Sequence, residues 1–129
     1  MKSKLVLPVL VIILVAMVGF LVFSGKGSNN TQTASNISIV DGKQIITINA
    51  KGGYSPRITN AKANVPTVIK FETQNTFDCS SSVTIPVLGY QKNLPPSGEE
   101  LVDVPAQKEG SNLRGLCSMG MYSFNINFN

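Results

Sequence analysis

The chain closes on a strict alternation. In "MYSFNINFN", residues 121–129, Tyr122, Phe124, Ile126 and Phe128 stand at every second position, with Ser123, Asn125, Asn127 and Asn129 between them. Successive side chains of a strand point to opposite faces, so this run fits a strand with one buried and one wet face, and no helix. It predicts a half-buried antiparallel strand, begun by Met121. The same period of two recurs upstream. "KQIITINAKGGYSP" is a β-branched run closed by Gly52, Gly53 and Pro56. "VPTVIKFET" sets Val65, Thr67, Ile69 and Phe71 against Val68, Lys70 and Glu72. "SSVTIPV" is short and ends at Pro86, and "EELVDVPA" puts Leu101 opposite Val102 and Val104. Gly52-Gly53, Pro95-Pro96-Ser97-Gly98, Gly110 and Gly115 read as turns between the runs. Short strands with regular turns and no helical stripe imply an all-β domain, a small sandwich or barrel.

A different pattern precedes it. Residues 5–23, "LVLPVLVIILVAMVGFLVF", carry no charge. As a helix they reach about 28 Å, close to the hydrocarbon thickness of a bilayer. A cleaved secretory signal is the alternative, but its apolar region is about 7–15 residues long and ends at a small-x-small site. This run is longer, and the "VFSGKG" after it is a poor cleavage site. The expected organisation is a short basic N-terminus over 1–4, a transmembrane anchor over 5–23, a flexible linker over 24–35 and the β domain over 36–129. The protein is thus expected in the cell membrane with a single pass. Lys2 and Lys4 precede the anchor and only Lys26 closely follows it. The positive-inside rule therefore leans the domain to the extracytoplasmic side.

Charge excludes one class of partner. The net charge is +4, yet of the 11 basic residues Lys2, Lys4 and Lys26 all precede Asn36. Eight remain against all seven acids, so the β domain is near neutral and shows no basic stripe for nucleic acid.

The chemistry resides in sulfur. The chain has two cysteines, Cys79 and Cys117, and no histidine. Ser-His-Asp and Cys-His catalysis are excluded, and no acid–base pair is visible, so an enzyme is not expected. Zinc or blue-copper sites that need imidazole are excluded as well. "GLCSMGM", residues 115–121, spaces Cys117, Met119 and Met121 two apart. Thiolates and thioethers are soft donors that select a soft, low-coordinate ion, of which Cu(I) is the usual one. Cys79 opens a predicted strand and Cys117 sits in the loop that feeds the last one. The alternative is a Cys79–Cys117 disulfide in an exported domain. It accounts for both cysteines but not for the Met-x-Met beside Cys117. A lone Met is ordinarily core packing.

The run "GYSPRITNAKANVPTVIKFETQNTFDCSSSVTIPVLGYQKNLPPSGEELVDVPAQKEG", followed by "GLCSMGMYSFNINF", resembles the cupredoxin-like copper-binding domains of bacterial copper-resistance systems. It is especially similar to CupA-type membrane-anchored Cu(I) chaperones and to the related domain of copper-exporting P-type ATPases. The resemblance spans about residues 45–128. It implies a Greek-key β-sandwich that binds one or two Cu(I) ions through sulfur. Cys79 and Cys117 would hold the tighter ion, while Met119 and Met121 would form a weaker, more exposed site that Cys117 can bridge. It further implies a copper chaperone or buffer in copper tolerance, handing Cu(I) to a copper-exporting P-type ATPase. A chaperone of that kind would place the domain in the cytoplasm, against the lean of the charges. The competing function is a disulfide-bonded structural or adhesive surface β-sandwich without metal.

Overall fold

A computed structural model describes Pro8, residues 11–16 and residues 36–129 of the chain. The anchor expected over 5–23 and the linker over 24–35 fall largely or wholly outside the described residues. Residues 11–16 are helical, with exposed side chains from Val11 to Val15. Among the described residues no helix is long and apolar enough to cross a membrane.

From Ile37 onward the chain forms ten strands: β1 (Ile37–Val40), β2 (Lys43–Ala50), β3 (Tyr54–Ser55), β4 (Ile58–Ala61), β5 (Thr67–Thr73), β6 (Ser82–Ile85), β7 (Tyr90–Asn93), β8 (Gly98–Val104), β9 (Asn112–Cys117) and β10 (Ser123–Phe128). They make two sheets. One runs β1-β2-β5-β8, with β3 also on β2; the other runs β4-β10-β9-β6-β7. Most pairs are antiparallel, but β2–β5 and β4–β10 are parallel. The last strand is therefore antiparallel to β9 on one side and parallel to β4 on the other. The expected all-β class holds, as two sheets rather than a closed barrel.

The alternation read from sequence is the alternation of burial. Phe124, Ile126 and Phe128 face the core from β10, Ile46 and Ile48 from β2, Ile69 and Phe71 from β5, and Val102 and Val104 from β8. Each such side chain contributes about 1.5–3 kcal/mol when fully withdrawn from water. At the centre Tyr54, Phe71 and Phe124 meet edge to face, with ring centroids 5.2, 5.6 and 6.4 Å apart, the geometry that aromatic quadrupoles prefer. Gln44 is fully buried and fully satisfied. Its amide donates to Lys62 O at 2.7 Å and to Thr67 Oγ1 at 2.8 Å, and its carbonyl accepts from Lys62 N at 3.1 Å. It thereby ties the β4–β5 connection to β2 without leaving an orphaned polar group.

Four expectations need correction. Gly115 is not a turn; it lies inside β9, opposite Phe124. A Cβ there would overlap Phe124 Cζ and Cε1, so glycine serves as the space into which the ring fits. Cys117 is not in a loop; it is the last residue of β9. Met121 does not begin the final strand, which starts at Ser123. β1 has no counterpart among the expected strands. It forms a hairpin with β2 through Asp41-Gly42, both at positive φ (50° and 75°). Two such residues match the twist of the flanking strands, which makes Asp-Gly a hairpin signal.

The Gly115 contact yields a prediction. Gly115→Ala should cost about 1–3 kcal/mol, since an added methyl must displace a ring already held between two others. Chemical denaturation of wild type and variant checks it. An unchanged midpoint would show that Phe124 relaxes freely.

Candidate functional site

Cys117 is placed by the register of β9. Leu113, Gly115 and Cys117 are the inward residues of that strand, and Cys117 is fully buried. Its partner in β6 is Val83. Beyond it, Ser118–Met121 form a four-residue loop closed by Cys117 N donating to Tyr122 O at 3.0 Å. Gly120, at φ 70°, turns the loop, and its N–H donates to Cys117 O at 2.8 Å. A second donor points at the sulfur itself: Tyr122 N–H lies 3.4 Å from Cys117 Sγ.

Cys79 reaches the same place from the other side. It starts a short 3-10 turn, Cys79–Ser81, that leads into β6. Asp78 caps this turn. One carboxylate oxygen accepts from Ser80 N at 2.8 Å and from the Ser80 hydroxyl, and the other accepts from Gly52 N at 2.8 Å. The Ser80 hydroxyl first, then the Gly52 N–H, hold the Asp78 carboxyl below its ordinary value. Thr76, almost fully buried, donates to Ala50 O at 2.6 Å. The loop carrying Cys79 is thus fastened to the end of β2 and to the turn between β2 and β3. That turn also touches the other loop: a Cβ on Gly53 would stand 3.4 Å from Tyr122 Cδ1. Beneath it Tyr54 is buried, and its hydroxyl has no hydrogen-bond partner among the described residues. Burial, then the Asp78 carboxylate, raises its pKa well above the ordinary phenol value and keeps it neutral.

Cys79 and Cys117 are joined as a disulfide, with Cα atoms 5.7 Å apart. Of the two arrangements open from sequence, the structure therefore holds the oxidised one. A disulfide sulfur is not a thiolate, so the pair can take a metal only after reduction. The juxtaposition itself suits that role: two sulfurs, one from the end of β9 and one from a 3-10 turn, meet at one point. The donor set fits a soft ion, since no imidazole exists in the chain. Among the described residues no three His, Cys, Asp or Glu side chains converge.

The methionines behave differently. Met119 is 77% exposed and Met121 is 66% exposed. Full burial of a methionine contributes about 1.5–3 kcal/mol, and these two forgo it. They are not core packing. Met121 lines a shallow groove with Gly52, Gly53, Tyr54 and Tyr122. One further residue of the site, Asp78, lies outside the sulfur-centred reading of the sequence; an aspartate just before Cys79-Ser80-Ser81 is the signal that marks it.

A family model described as "Cupredoxin-like domain" matches residues 11–125. None of the curated proteins matches. Among solved structures, the metal binding domain of the Streptococcus pneumoniae Cu(I) exporting P-type ATPase CopA, determined with Cu(I), superposes with a TM-score of 0.63. It is 21% identical over 72% of this chain and 92% of that one, so the likeness is one of fold. A copper binding protein, solved by NMR in its apo form, gives a TM-score of 0.64 at 25% identity, covering 72% of this chain and 94% of that one.

Removing the cap should loosen the Cys79 turn. Asp78→Ala is expected to cost about 1–2 kcal/mol at neutral pH, read as a lower thermal midpoint. Because the pKa shift is downward, the contribution is present above the ordinary carboxylate value. It is lost as pH falls through the lowered folded value. Wild type and variant should therefore converge in acid. Equal midpoints at neutral pH would refute the cap.

Proposed function

This chain belongs to the cupredoxin-like domain family, and from that premise we propose that it is a membrane-anchored Cu(I)-binding protein, a copper chaperone or buffer. In its reduced form Cys79 and Cys117 hold one Cu(I) as thiolates. Met119 and Met121, with Cys117, receive or release a second, weaker equivalent. The cargo then passes by sulfur-ligand exchange to a copper-exporting P-type ATPase. The uncharged run over 5–23 anchors the chain in the membrane.

One observation carries this reading. Two cysteine sulfurs meet at the foot of a loop that exposes two thioethers to solvent. Packing explains neither methionine, and a disulfide alone explains neither. A transfer site, by contrast, needs both kinds of sulfur: charged thiolates to hold a soft cation and neutral thioethers to let it go. The two structural neighbours, one a Cu(I) exporter's domain and one a copper binding protein, support copper as the cargo. A second reading, a disulfide-bonded structural or adhesive β-sandwich, is favoured by the bond between Cys79 and Cys117.

Two substitutions separate the readings. Cys79→Ser with Cys117→Ser should abolish uptake of Cu(I) from a competing chelator, with strand content retained by circular dichroism. Undiminished competition by the double variant would remove the cysteines from the site. Met119→Leu with Met121→Leu conserves volume on an exposed loop, so its stability cost should be under about 1.5 kcal/mol. That variant should keep one Cu(I) and either lose the second equivalent or transfer copper more slowly. Unchanged stoichiometry and transfer, with a marked fall in stability, would make the methionines structural.

A further inference from the structure

The two halves of the Cys79–Cys117 disulfide are unequal. Cys117 is fully buried at the end of β9, and its Sγ already accepts the Tyr122 N–H. Cys79 is only half-buried and begins a 3-10 turn, preceded by the exposed Phe77 and Asp78 and followed by the buried Ser80. Thiol–disulfide exchange proceeds by direct attack of a thiolate on one of the two sulfurs, so access decides which one is struck. Of this pair only Cys79 presents surface to solvent.

We propose that Cys79 is a thiol-exchange site, the atom at which a low-molecular-weight thiol or its disulfide joins the chain. The incoming thiolate attacks Cys79 Sγ. A new sulfur–sulfur bond forms there, the Cys79–Cys117 bond breaks, and Cys117 leaves with the electron pair as a thiolate. The Tyr122 N–H, aimed at that sulfur, stabilises the charge it acquires. A second thiolate attacks the small-molecule sulfur of the mixed disulfide, releasing the low-molecular-weight disulfide and the Cys79 thiolate. In sum, two thiols are oxidised to one disulfide and the protein pair is reduced to a dithiol. The reverse course, starting from the small disulfide at Cys79, closes the pair again. The consequence for copper rests on the function proposed above: the closed pair has no thiolate to offer Cu(I), and exchange at Cys79 opens it. The exchange itself does not depend on that reading.

Glutathione serves as the probe, on the full-length chain. Cys117→Ser, which leaves Cys79 free, should form a mixed disulfide with oxidised glutathione at least about tenfold faster than Cys79→Ser does at Cys117, by mass spectrometry. A serine at either position can loosen this end of the sandwich. A second measurement therefore uses the reduced wild-type chain under brief alkylation with iodoacetamide. Cys79 should be labelled in at least about tenfold excess over Cys117. Equal rates or faster reaction at Cys117 in the wild-type experiment overturn the proposal, as does an absence of adduct at Cys79 in both. Copper is scored separately. The glutathione-reduced chain should take Cu(I) from a chelator that the oxidised chain cannot compete with. Failure of both forms to take copper counts against the copper reading and leaves the exchange result standing.

Discussion

The ring of Phe124 lies where a Cβ of residue 115 would be. That contact locks Gly115 opposite Phe124, and with it the register of β9 against β10. Side chains alternate along a strand, so a slip by one residue would turn Cys117 outward and Leu116 inward. With the register held, Cys117 ends β9 on the buried side, opposite Val83 of β6. The strand that receives it is the one that Cys79 leads into. Sequence-distant sulfurs meet because one small residue and one large one interlock β9 with β10 two residues before Cys117.

Around the cysteines the structure grades access to solvent. Cys117 is buried in a strand, Cys79 is half-buried on a capped turn, and Met119 and Met121 stand exposed on a loop. Each is also held by its own set of bonds. Cys117 is held by pairing to Val83 of β6 and by its bond to Tyr122, and the Cys79 loop by Asp78 and Thr76, which reach Gly52 and the end of β2. The methionine loop has its own closing bonds and Gly120 at its bend. Under the function proposed above, a soft cation passing inward would meet neutral, exposed thioethers first and, once the pair is reduced, more buried thiolates last. The same grading gives the disulfide an open end and a closed end.

Much of this was legible before the structure. Alternation marked the core faces of β2, β5, β8 and β10, because burial on one face of a sheet leaves a period of two. Cys79, Cys117, Met119 and Met121 stand out in the sequence because a chain without histidine leaves sulfur as its soft donor. What stayed hidden was whatever depends on a distant partner. Gly115 reads as a turn until Phe124 is seen to occupy its space. Cys117 reads as a loop residue for the same reason, since its strand was unrecognised. β1 has no counterpart in the sequence reading although Asp41-Gly42 marks its hairpin locally, and the tie from Asp78 to Gly52, 26 residues away, has no local signal. The oxidation state of Cys79 and Cys117 was open from sequence, as the same two residues serve a disulfide or a dithiol site.

The central claim is that sulfur alone surrounds the bound ion. X-ray absorption at the copper K edge, on the reduced full-length chain loaded with one equivalent of Cu(I), tests it most directly. The account predicts a cuprous edge and a first shell fitted by sulfur only, with the sulfur shell lost in the variant lacking both cysteines. A shell dominated by nitrogen or oxygen would contradict it.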